Sequence, residues 1–334
     1  MPDEEPEFEY QGYLIFNDIY KTNLDDGSEF SGESSQVERK LENQFPQYSH
    51  SERGSEGYKN LELKRYLNQL DEGFDKINND TIGFRYLEEE TEIKEAYVDG
   101  EIRQVEVRDL HDADVYWNHP NYLFFRGSES DSEKAVKATK RRVSGSSSNL
   151  DPIKFDPNFL LWVFYKQFDD VHNNNPPNLP FDIDRLTDAG VKGDEDIFGG
   201  DNTIGDSTEL VSCPPLLGAI LEDKRFSKIE GTFSMSPGTV RAAVQSNKVH
   251  IKSSKGSLSN EGGTRRIGLS LLFLRKLVDL YDQWENSMSK TNKHPPLSFF
   301  EKVNEVASDR GHDIDVNRNV LEYYEEKRNE NWNI

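Results

Sequence analysis

Carboxylates are the most abundant chemistry-bearing side chains in this sequence, and their most suggestive loop lies between Asp194 and Asp206. There Asp194, Glu195, Asp196, Asp201 and Asp206 are interleaved with Gly199, Gly200 and Gly205. Acidic side chains on a glycine-rich loop are the donor set that hard cations such as Mg or Ca require. Asp194, Asp196, Asp201 and Asp206 are therefore the candidate metal ligands, weighed against a solvated acidic loop. Phe198 falls where an EF-hand would have its third acidic residue, and only one partial copy of a calcium-binding nonapeptide is present.

Asp206 is also followed by Glu222-Asp223-Lys224. An Asp and then a Glu-x-Lys is the order a metal-dependent nuclease needs. The carboxylates would hold a cation that activates water, and the lysine would stabilise charge developing on phosphate. The same Glu-x-Lys spacing recurs at Glu38/Lys40, Glu62/Lys64, Glu92/Lys94 and Glu325/Lys327, as expected of a charge-rich chain. His111, Asp112, Asp114 and His119 form the one dense His/Asp group. On a strand, His111 and His119 share a face but lie about 26 Å apart, too far for one ion unless a turn intervenes. No flanking motif marks a Ser or Cys nucleophile, and no Gly-Lys-Ser/Thr phosphate loop is present. Cys213 beside Pro214-Pro215 reads as a small hydrophobe.

Two basic groups are candidates for anion or nucleic-acid binding. Lys137, Lys140, Arg141 and Arg142 end a stretch with helical spacing, where the helix dipole favours cations. Arg265 and Arg266 follow Gly262-Gly263 at the start of another helical stretch. A helix N-terminus attracts anions, so two cations there conflict with the dipole unless an anion or an acidic side chain compensates.

The elements that must position these residues are read from periodicity. The strongest signal runs from Gly262 to Trp284. Ile267, Leu271, Leu274, Val278 and Tyr281 recur in steps of four and three, with Phe273, Leu277, Leu280 and Trp284 in a second row. Two adjacent rows predict a helix with a wide buried face. Before it, 10–20 reads as a strand, 25–57 as a mobile acidic insertion, and 61–77 as one helix. Three short strands follow at 82–87, 91–98 and 102–107, with Asp99-Gly100 as a hairpin turn. Strand again covers 115–117 and 122–126, and Asp131 to Arg142 reads as a helix capped by Ser130. Lys154 to Phe168 predicts a helix capped by Asp156 with Pro157 in its first turn. Loops with short strands are expected over 181–205, an apolar element at 215–221, and meander strands at 228–235, 239–244 and 249–253. Helices at 295–306 and 319–329 close the chain.

The expected architecture is α+β in two domains, 1–143 and 152–334, with antiparallel meander sheets covered by helices and a Ser-rich linker at 144–149. Forty Lys and Arg against sixty-two Asp and Glu give a net charge of −22 over 334 residues. Two readings compete: adaptation to a salty cytoplasm, where the Debye length shrinks to about 3 Å at 1 M, or an acidic partner-binding surface. The even spread of acids favours salt, although 22 Lys against 18 Arg shows no lysine depletion. Uniform acidity argues against broad nucleic-acid binding. One cysteine excludes an intrachain disulfide, and neither a signal segment nor a membrane span is visible. The sequence therefore points to a non-enzymatic cytoplasmic interaction or regulatory protein whose partner is another protein. A nucleic-acid-associated protein and a metal-dependent nuclease on Asp206, Glu222 and Lys224 are the alternatives.

Overall fold

The structure is a computed structural model. It describes residues 7–10, 12–24, 28–49, 55–98, 100–143, 148–193, 201–205, 207, 209–253, 257–312 and 316–332. The fold is α+β with antiparallel strand pairing. The chain divides into two compact units. One is Met1–Ile153 with Gly262–Gly268, and the other is Lys154–Glu261 with Leu269–Ile334.

The first unit contains β1 (Leu14–Leu24), α1 (Ser34–Gln44), β2 (Glu56–Asn60), α2 (Leu63–Leu67), α3 (Asp75–Asn78), β3 (Thr81–Val98), β4 (Glu101–Asn118), β5 (Tyr122–Arg126), α4 (Glu129–Val143) and β6 (Ser148–Pro152). Its strands run in the order β2-β3-β4-β5-β1, and β6 also pairs with β1. Alternation along β3 and β4 sends Ile82, Phe84, Tyr86, Ala113, Val115 and Trp117 to one face. There they pack with Val37 and Leu41 of α1 and Ala135, Val136 and Ala138 of α4. The opposite face carries Arg85, Asp114 and Tyr116, as the two-residue period of a strand requires.

Three local expectations differ from the structure. Residues 34–44, expected within a mobile insertion, form α1. Its only buried side chains are Val37 and Leu41, one helical turn apart and flanked by the buried Phe30 and Phe45. So narrow a stripe in Ser, Glu and Gln is easily read as loop. The helix expected over 61–77 is broken into α2, a short 3-10 turn at Glu72–Phe74, and α3, with Gly73 and two Asp at the break. The strands expected at 82–87 and 91–98 are one 18-residue strand, and β4 equally joins 102–107 to 115–117. Val98 pairs with Glu101, and Gly100 adopts φ +88° between them. A two-residue loop needs this left-handed geometry. Asp99 lies outside the described residues.

The second unit contains α5 (Pro157–Asn173), β7 (Asp182–Lys192), β8 (Asp201–Ile204), α6 (Pro214–Leu221), β9 (Arg225–Met235), β10 (Gly238–Gln245), β11 (Val249–Ile251), α7 (Gly263–Asn286, second-unit from Leu269), α8 (Lys290–Lys293), α9 (Leu297–Asp309) and α10 (Arg318–Arg328). Its strand order is β11-β10-β9-β7-β8. The Asp156 carboxylate accepts from the Asn158 N–H at 2.7 Å, with Pro157 in the first turn of α5. The loops with short strands expected over 181–205 contain the 4-residue β8 and a longer strand, the 11-residue β7, whose register with β9 shifts at three places. Those irregularities break the simple alternation that marks a strand. All nine apolar positions of the two rows in α7 are buried. Phe273 stacks within 5.0 Å of Phe233 on β9 and 5.5 Å of Phe181. From α5, Phe159 meets Tyr281 at 5.0 Å and Trp284 at 5.5 Å.

Candidate functional site

Only the inner halves of β3 and β4 belong to the packed sheet of the first unit. β2 pairs with β3 from Phe84 to Glu88, and β5 pairs with β4 from Asp114 to Asn118. Past a last backbone bond from the Glu89 N–H to the Ser55 carbonyl at 2.9 Å, the two strands pair only with each other among the described residues, out to Val98 and Glu101. From Glu90 to Leu110 every described side chain is exposed except Ala96, Val105 and Val107, which are half-buried. The hairpin therefore leaves the sheet as a two-stranded arm. Eight steps from Glu90 to Val98 make it about 27 Å long.

The arm has two different faces. The register pairs Glu89 with Leu110, Ile93 with Glu106, and Tyr97 with Ile102. These odd β3 and even β4 positions share one face. It bears four of the six large apolar side chains that stand exposed among the described residues: Ile93 at 73%, Tyr97 at 76%, Ile102 at 71% and Leu110 at 54%. Residues 90–109 also hold seven carboxylates against three cations. Ion pairs lace the ribbon: Lys94 with Glu92 at 2.9 Å and Asp109 at 3.6 Å, and Arg108 with Glu89 at 3.3 Å and Glu106 at 3.5 Å. A two-stranded ribbon is marginal in water without further packing, and its outer N–H and C=O rows are a template for an added strand.

The root of the arm is fixed electrostatically on both faces. On one, His111 sits between Asp131 of α4 at 2.7 Å and Glu90 at 3.1 Å, while Lys134 reaches Glu90 at 2.8 Å. Hydrogen bonding to Lys134 holds the Glu90 carboxyl below its ordinary range. On the other, the fully buried Asp114 carboxylate binds Arg85 Nε at 2.6 Å, the Arg126 guanidinium, and the Tyr116 hydroxyl at 3.0 Å. Burial pushes Asp114 up, but Arg126 and Arg85 outweigh it and leave the carboxyl below its usual pKa. A buried carboxylate with two guanidiniums holds position and does not supply a labile proton.

The second unit has its own polar sheet face. Register places His250, Ala243, Glu230 and Asp188 in one row across β11, β10, β9 and β7. Glu230, 3% exposed, collects Arg241 at 2.8 Å, Lys228 at 3.1 Å and Lys252 at 3.5 Å, and Arg241 also reaches Asp188 at 3.4 Å. Burial raises the Glu230 pKa, and Lys228, Lys252 and Arg241 together bring it below normal. Burial and Lys252 keep His250 low. The three cations thus share two carboxylates of the same sheet, Glu230 and Asp188.

The residues singled out from sequence are placed as follows. On α4, Arg141 pairs with Glu56 at 3.2 Å and Lys140 lies over the Tyr20 ring, while Lys137 and Arg142 are exposed. At the start of α7, Arg265 pairs with Asp71 at 3.0 Å and lies over the Phe74 ring. The Gly263 N–H donates to the Glu7 carboxylate, and the Phe8 N–H donates to the Thr264 hydroxyl at 2.7 Å. An acidic side chain therefore meets this helix N-terminus. Arg266 is half-buried in the same turn. Glu222 follows α6 and pairs with Lys224 at 3.2 Å. Asp194, Asp196 and Asp206 lie outside the described residues, and Asp201 begins β8. Among the described residues, no three His, Cys, Asp or Glu side chains are grouped closely enough to hold an ion. His119 is buried, with Nε2 against the Phe30 carbonyl at 2.7 Å, and is separate from His111.

The arm is the feature that reading by elements missed. Its signal was the run from Thr91 to Val107, which alternates without either face becoming wholly apolar. That pattern fits a ribbon wet on both sides better than a sheet strand. No helix of the described residues is long and apolar enough to cross a membrane. No family model matches the chain, and no curated protein resembles it by sequence.

Proposed function

We propose that this chain is a non-enzymatic interaction protein that engages a protein partner through the β3–β4 arm. The observation that carries the reading is the exposed stripe of Ile93, Tyr97, Ile102 and Leu110 on a two-stranded ribbon. Each of those side chains is more than half exposed, on an element with little packing of its own, and Tyr97 and Ile102 stand directly opposite each other near its tip. Aromatic and aliphatic anchors of this kind carry most of the binding energy in protein interfaces. Both open edges support docking by strand addition. The excess of carboxylates on residues 90–109 favours a partner segment that alternates apolar with basic residues, and it opposes pairing of two copies of the arm.

The net charge of −22 supports a cytoplasmic setting rich in salt, where exposed carboxylates are screened. It also leaves short-range apolar contact as the stronger source of affinity there. Nucleic-acid binding has less support, because Arg141, Arg265 and Arg241 are matched to carboxylates of the chain itself.

The test is co-purification from the native host in high salt, comparing the wild type with the triple variant Ile93→Ser, Tyr97→Ser, Ile102→Ser. The expected result is a stoichiometric partner held by the wild type and lost from the variant, with unchanged thermal stability. Retention of that partner by the variant would remove the arm from the account.

A further inference from the structure

A cleft of about 550 Å³ opens in the first unit between the last turns of α1 and the strands β2 and β3, away from the exposed stripe of the arm. Its floor is aromatic. Phe45 and Tyr58 lie 4.1 Å apart at 35°, and Phe84 stands nearly perpendicular to both at 5.3 and 5.5 Å. Tyr48 also lines it, and a parallel bridge pairs the neighbouring Gln47 with Tyr58. The volume is that of an ordinary small-molecule site.

The rim carries an acidic helix end. Glu38 and Glu42 stand one turn apart on α1, and both line the cleft. Like charges at this spacing destabilise a helix. Glu42 also lies in the last turn of α1, which carries no basic residue. There the helix dipole favours a cation. Lys64 reaches Glu38 at 3.4 Å, whereas Glu42 accepts from the neutral Asn60 amide at 2.5 Å. Lys59 is the one cation among the lining residues. Glu42 and the C-terminal turn of α1 thus stand beside an aromatic floor, the combination that recognises alkylammonium groups through rings and charge together.

We propose that this cleft binds an organic cation, an ammonium group joined to an apolar body, with the charge toward Glu42 and the body on Phe45, Tyr58 and Phe84. The site is independent of the arm and of its partner.

The test is calorimetric titration of the full chain at low salt with benzyltrimethylammonium, benzyl alcohol and phenylacetate. The cation is expected to bind at least about tenfold more tightly than either control. Glu42→Gln should weaken the cation about fivefold, with Glu42→Asp restoring part of the loss. Asn43→Arg, an exposed change on the lining that adds a competing cation, should abolish binding without altering the fold. The proposal is overturned if benzyl alcohol binds as well as the cation, if Glu42→Gln leaves its affinity unchanged, or if the cation gives no saturable heat up to about 10 mM.

Discussion

Asp114→Asn isolates what anchors the root of the arm. The substitution keeps the side-chain shape and removes one negative charge from a site with no solvent access. Two guanidiniums depend on that charge, but unequally. Arg85 retains Asp112 at 3.9 Å and has 17% of its side chain exposed. Arg126, with 4% exposed, is also held by the Tyr13 carbonyl at 3.2 Å and the Tyr116 hydroxyl at 3.3 Å, and lies 5.2 Å from the Tyr10 ring. The variant therefore takes away the buried carboxylate that the Arg126 guanidinium binds. Breaking a buried pair from one side costs about 3–5 kcal/mol, and the retained acceptors place the expected loss near 3 kcal/mol. Asp112→Asn is the control. Its carboxylate is 40% exposed and distant, so about 0.5 kcal/mol or less is expected. Urea denaturation of both variants measures the difference. Equal, small losses would show that the Asp114 cluster does not anchor the sheet at the root of the arm.

Three further outcomes follow from particular contacts. Burial first, then Lys293 and Lys327, push His294 down to about 4. A histidine with a depressed folded pKa binds its proton preferentially when unfolded, so stability is full above about pH 6.5 and declines between 6.5 and 4; thermal unfolding of His294→Leu should lose that slope. Gly231→Ala places a Cβ within 2.6 Å of the Arg185 carbonyl and 2.9 Å of Leu186 on the neighbouring strand, and should destabilise the second unit by about 2 kcal/mol in denaturant melts. The melting temperature of the wild type should rise between 0.1 and 1 M KCl, because screening relieves the repulsion of a −22 chain, and a fall would count against salt adaptation.

Where one face of an element is buried, its period was legible. The double row of α7, the Asp156-Pro157 start of α5 and the meander β9–β11 stand where spacing and caps placed them. Legibility failed where tertiary context overrode composition. α1 shows only Val37 and Leu41 to the core, and β7 is interrupted by register shifts. The conflict at Arg265 was visible from sequence, but not its compensation. Asp71 and Glu7 are about 190 and 256 positions away in the chain, and no local pattern brings them to one helix end. The arm could be suspected only from the poor alternation of 91–107, because exposure on both faces is a property of what fails to pack there. The cleft was illegible for the same reason, since its rings come from positions 45, 58 and 84.

Hydrogen–deuterium exchange of the wild type, alone and with its co-purified partner, tests the arm most directly. Beyond Glu88 on β3 and Asp114 on β4 the outer edges of the ribbon face no other paired strand among the described residues, so amides of 90–109 should exchange fast in the free chain. The account predicts that the partner slows exchange there first and most. Protection confined to other segments, with 90–109 unchanged, would contradict it.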